Sequence, residues 1–102
     1  MEISTDGSTI LLSGDFDVRS TMEVRNAIYD QLEGCDSDVV VDLSEVTTID
    51  MTALRVLAMA TRQAVRAGRR LTLRGCGPAV LRMLHLSHLI RVVELERAHL
   101  SA

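Results

Sequence analysis

Lysine and tryptophan are absent from this chain, and Phe16 and Tyr29 are its only aromatic rings apart from histidine. So few rings cannot build the stacking platform that holds single-stranded nucleic acid, which argues against direct nucleic-acid binding. Cysteine is scarce as well: Cys35 and Cys76 are too few and too far apart for a metal site, and no CxxC occurs. They read as unreactive thiols of a reducing compartment, and neither metal nor cofactor is expected. No positively charged leader precedes an apolar core, and no apolar run approaches the roughly 20 residues that span a bilayer. The expectation is a soluble, cytoplasmic protein without a membrane partner. A GxSxG elbow, a P-loop and a GxGxxG fingerprint are all missing, so hydrolase, nucleotidase and dehydrogenase readings have no motif behind them.

What the chain does contain is acid at one end and arginine at the other. Residues 1–50 hold twelve acids and two arginines, whereas residues 51–102 hold nine arginines and two acids. Halves of a sequence are not surfaces, and in an α/β fold they lie side by side, so mutual neutralisation on one compact body is the ordinary outcome. More telling is the local pattern: Arg55, Arg62, Arg66 and Arg69 recur at spacings of 7, 4 and 3 and share one helix face, with Met59 among them. An exposed methionine framed by arginines suits a protein partner as well as a solvated face.

At 102 residues the chain is read as one domain, 1–102, large enough to bury a core without staples. Glu2 to Ser4 and Thr9 to Ser13 read as a hairpin around Asp6-Gly7. Gly14 and Asp15-Phe16-Asp17 then read as a loop. Ser20 or Thr21 can cap a first helix, Met22 to Leu32, with Met22, Ala27, Ile28 and Leu32 as its apolar positions. Val39, Val40 and Val41 form a β-branched run suited to a strand buried on both faces. A polar segment, Ser44 to Thr48, follows. Leu54, Leu57, Ala58, Thr61 and Val65 recur at helical spacing, and Gly68 supplies a stop. Arg70 to Arg74 reads as a strand with Leu71 and Leu73 on one side. Pro78 opens a short helix, Ala79 to about Leu84, and Arg91 to Glu94 and a weak terminal helix close the chain. The expected fold is α/β: a mixed sheet of four to five strands flanked by about four helices.

Chemistry concentrates between Asp38 and Leu54. Asp50 is a good N-cap type, and Thr52 places a hydroxyl in the first turn of the helix, where the dipole favours an anion. Three histidines invite an enzymatic reading. His85 and His88, however, sit among leucines at a helix end, His99 lies in a tail, and no carboxylate or thiol has ligand spacing to them. Asp15, Asp17, Asp42 and Asp50 could line the acidic pocket of a phosphoacceptor aspartate domain. The chain is short for that, and it has no lysine to pair with an acyl phosphate.

The sequence resembles a STAS domain of the anti-sigma factor antagonist family. The likeness is carried by Ser13-Gly14-Asp15-Phe16-Asp17, the stretch Val39 to Leu57, Arg70 to Arg74, and Gly77-Pro78-Ala79-Val80-Leu81 with Met83-Leu84 and Leu89. Family members read aspartate, two hydroxyl residues, glycine and leucine where this chain has Asp50, Met51, Thr52, Ala53 and Leu54. The resemblance implies a non-catalytic switch that binds an anti-sigma factor kinase, is phosphorylated by it on a hydroxyl, and is reset by a phosphatase. Thr52 is the one hydroxyl retained and thus the expected phosphoacceptor. Asp17, Asp50, Met51, Ala53, Arg55 and Met59 are the expected partner-binding residues. A STAS module that binds constitutively in a signalling complex is the alternative.

Overall fold

The computed structural model describes residues 1–34 and 37–96. Its elements are β1 (Glu2–Asp6), β2 (Thr9–Phe16), α1 (Thr21–Gly34), β3 (Val39–Ile49), α2 (Met51–Arg66), β4 (Leu71–Arg74), α3 (Pro78–Leu86), a 3₁₀ turn (Leu89–Arg91) and β5 (Glu94–Leu95). One five-stranded sheet runs β1-β2-β3-β4-β5, antiparallel between β1 and β2 and parallel thereafter. The mixed sheet is as expected. Three α-helices and a 3₁₀ turn stand where about four helices were expected, and Cys35, His99 and the expected terminal helix lie outside the described residues.

Strand order explains where the core sits. Each parallel crossover steps one strand further in the same direction, and crossovers of this kind are overwhelmingly right-handed, which sends every helix to the same face. Burial follows that geometry. Ile10, Leu12 and Phe16 of β2, Val39, Val41 and Leu43 of β3, and Leu71 and Leu73 of β4 are buried. Leu11, Val40 and Thr72, which alternate with them, are only half-buried. The expectation of a β3 strand buried on both faces is therefore corrected: the sheet is covered on one side, as period-two burial on a one-sided sheet requires.

The largest correction concerns β3. The polar run Ser44 to Thr48 is strand, not loop, and so is Asp15-Phe16 of β2. Two register shifts between β2 and β3 lodge an extra residue on β3 each time: Leu11 faces Asp42 but Ser13 faces Glu45, and Gly14 faces Val46 but Asp15 faces Thr48. Such bulges keep a strand in the sheet while altering its side-chain alternation. The apolar residues therefore fall at Leu43, Val46 and Ile49, three apart, and Val46 and Ile49 still pack against the core.

Helix faces also differ in detail. In α1 the buried positions are Val24, Ile28 and Leu32, while Met22 is exposed. In α2 Ala53, Leu54, Leu57, Ala58, Ala60, Thr61 and Ala64 are buried, and Val65 is exposed. Helix α2 ends at Arg66, and Gly68 adopts a left-handed φ of 76°, the terminating role expected of it. Arg69 consequently leaves the arginine face: it lies past the helix, and its Nη1 is buried without a hydrogen-bond partner among the described residues. The expected strand Arg91 to Glu94 is instead a 3₁₀ turn followed by a two-residue strand. Arg70, just before β4, and Arg74 at its end pair with Glu94 and Glu96 and so tie this short edge to the sheet.

Candidate functional site

The site forms where β2 and β3 end and α1 and α2 begin. Asp50 holds it together. Its backbone is extended, as an N-cap requires, and its Oδ1 accepts from the Ala53 N–H at 2.9 Å. The other carboxylate oxygen, Oδ2, accepts from the Val18 N–H at 3.1 Å, and the Asp50 N–H donates to the Phe16 carbonyl at 3.2 Å. One side chain thus caps α2 and fastens the loop that leads into α1.

That loop carries Asp17, expected with Asp50 among the partner-binding residues. The Asp17 carboxylate accepts from Arg19 Nε at 3.2 Å and Nη2 at 2.7 Å, a forked pair, and from the Arg19 N–H at 3.0 Å. The Arg19 guanidinium holds the Asp17 carboxyl below the usual carboxylate value. Asp15 on β2 accepts from the hydroxyls of Thr48 at 2.8 Å and Thr47 at 2.9 Å, and these two bonds lower its pKa. Asp42 accepts from the Ser44 N–H and Oγ. Each of the four aspartates is engaged with partners of its own rather than converging on one acidic pocket.

Thr52, the second residue of α2, is exposed, and none of the described hydrogen bonds uses its hydroxyl. Met51 is half-buried against the core. Arg55 is exposed, and Met59 is 65% exposed. Ala53 is 0% exposed, so the expectation that it touches a partner is corrected: its position follows Asp50 by three residues, and its amide is given to the cap. Since Asp50 takes the Ala53 N–H, only the first-turn amides of Met51 and Thr52 remain for an added anion.

Sequence reasoning missed an apolar cavity of about 410 Å³ alongside, between the bulged half of β3 and the start of α3. Val46, Ile49, Val80 and Met83 are among its walls. Gly75 also lines it: φ is +71°, and a Cβ there would stand 2.8 Å from the Ser44 Cβ. The doublet Gly75-Cys76-Gly77 was a visible signal, but its meaning depended on β3 reaching Ser44. Burial pushes the Cys76 thiol up to about 11, so it is a neutral thiol at physiological pH. His85 is exposed on α3, and His88 adopts a left-handed φ of 63° at the turn that follows. Among the described residues no helix is long and apolar enough to cross a membrane.

Comparison with known proteins gives the same outline. A family model described as "Mlab, STAS domain" matches residues 1–94. Among curated proteins none matches. A Thermotoga maritima protein assigned as an anti-sigma factor antagonist is 19% identical, with a TM-score of 0.78 over 96% of this chain and 86% of that one. An anti-sigma factor antagonist from Mycobacterium paratuberculosis is 21% identical, with a TM-score of 0.75 over 96% and 85% of the two chains. The Bacillus cell fate determinant SpoIIAA in its phosphorylated form is 14% identical, with a TM-score of 0.68 over 94% and 90%.

Proposed function

The chain belongs to the STAS domain family, and from that premise we propose that it is an anti-sigma factor antagonist without catalysis of its own. It binds an anti-sigma factor that is a serine-protein kinase and so frees a sigma factor. Thr52 is its phosphoacceptor, and a phosphatase resets it. The observation that carries this reading is the Thr52 hydroxyl, exposed and unengaged in the first turn of α2, beside a cap that ties α2 to the loop before α1. A kinase can reach it without unfolding anything.

The mechanism is electrostatic. A phosphothreonine adds about −1.5 to −2 charges, and the Asp50 carboxylate two residues earlier is already negative and already holds the Ala53 amide. The new anion therefore projects outward, onto the surface made by Asp17, Asp50, Met51, Arg55 and Met59. Partner affinity falls tenfold for each ~1.4 kcal/mol lost. Isothermal titration against the cognate anti-sigma factor tests this: Thr52→Glu abolishes binding and Thr52→Ala retains it. Equal binding by both variants and the parent would remove phosphorylation at Thr52 as the regulator.

Met51 and Ala53 support a second reading. Where the family motif has two hydroxyls and a glycine, this chain offers one hydroxyl between a half-buried methionine and a buried alanine. A constitutive interaction module needs no more than that. Incubation with the cognate kinase and ATP, followed by phosphosite mapping, separates the two: phosphate on Thr52 supports the switch, and its absence supports the module.

A further inference from the structure

The surface that includes Arg55 and Met59 continues along α2, away from Thr52, into a groove. Met59 is 65% exposed and Val65 66% exposed, unusual for large apolar side chains on a helix whose other face is the core. Between α2 and the 3₁₀ turn lie two open cavities, about 190 Å³ and about 380 Å³, that share Arg62 and Val92 as walls and so form one continuous groove. Its floor is apolar. Its rim is arginine alone: Arg55, Arg62 and Arg66 line it, no acid does, and none of the three joins an ion pair among the described residues.

We propose that this groove is a docking site for an amphipathic helix with acidic flanks, supplied by a protein partner. The apolar stripe of such a helix would lie on Met59, Val65 and Val92, and its carboxylates would meet Arg55, Arg62 and Arg66. Charge decides the occupant: an apolar floor alone would accept any amphipathic segment, whereas an acid-free arginine rim selects a negative one and repels a basic one. Length agrees, because Arg55 to Arg66 spans roughly 16 Å at the helical rise, room for about three turns of a partner helix. The inference goes beyond the proposed switch and does not depend on modification of Thr52. It does touch it, since Thr52 precedes Arg55 by three residues on the same helix face.

The test is a titration of isotope-labelled full chain, followed by NMR, with a synthetic helix of about four turns bearing a leucine stripe flanked by glutamates, and with its lysine-flanked counterpart. The glutamate peptide is expected to shift resonances of Arg55 to Arg66 and Leu89 to Val92, and to bind about tenfold more weakly at about 0.5 M salt. Combined Arg62→Glu and Arg66→Glu, both at exposed positions, should abolish binding with an unchanged circular dichroism spectrum, and Val65→Ala should weaken it. Shifts elsewhere, no shifts, or equal binding of the lysine peptide would overturn the proposal. So would sedimentation showing a dimer that the double variant breaks, since the groove would then belong to a second copy of this chain. Thr52→Glu in the anti-sigma factor titration reports on the switch separately.

Discussion

Asp50 reaches Val18, 32 positions earlier in the chain, with one carboxylate oxygen and caps α2 through Ala53 with the other. Asp50→Ala is expected to cost about 1 kcal/mol in urea unfolding, the usual worth of a lost N-cap, and to speed amide exchange at both Val18 and Ala53. Asp50→Asn, which keeps one acceptor oxygen, should retain the stability of the cap and the protection of Ala53 while exchange at Val18 still speeds up. Asp15 gives a pH signature. Hydrogen bonds from Thr48 and Thr47 depress its folded pKa below the ordinary 3.8, so its contribution is complete above that value and is lost as pH falls through the lower folded one. NMR titration should find Asp15 below 3.8, and the stability gap between parent and Asp15→Asn should close in acid. The cap at Asp50 and the first-turn position of Thr52 were legible from residue types alone. The roles of Asp15, Val18 and Arg19 were not, because each depends on which strand ends meet.

Among elements, α2 separates what periodicity can and cannot say. Its existence, its cap at Asp50 and its stop at Gly68 follow from spacing and residue type, and all appear in the fold. Val65 also fits the apolar spacing, yet it is exposed, because the helix rolls Ala64 rather than Val65 toward the sheet. Leu57→Ala should therefore cost about 2–5 kcal/mol, and Val65→Ala should stay within about 0.5 kcal/mol; chemical denaturation of both variants checks the contrast. β3 was read too short for a different reason. Leu43, Val46 and Ile49 stand three apart, and that spacing does not read as a strand unless the two bulges are already known. Bulges arise from pairing with β2, a long-range fact absent from a local window.

For the whole molecule, sequence order and space order coincide: every strand pairs with its neighbours in the chain. Sheets assembled from successive units close short loops first, and one core serves all of them. Unfolding should accordingly be a single cooperative transition, with far-ultraviolet circular dichroism and the fluorescence of Tyr29, which packs against that core, superimposing in urea. The class of fold was legible in the alternation of elements after residue 20. Which face the helices occupy was not, because it follows from the order and hand of the crossovers rather than from any residue.

The paired bulges of β3 set a rule for how this sequence can change in length. Each one reverses the inside-outside alternation along the strand, and the second undoes the first, so Leu43 and Ile49 both face the core. Losing a single residue between 44 and 48 would leave one reversal uncorrected, turn Ile49 to solvent and swing Asp50 and Thr52 away from Val18. Losing two would straighten the strand and return the helix start to its place. Natural variation in this stretch should therefore come in even steps.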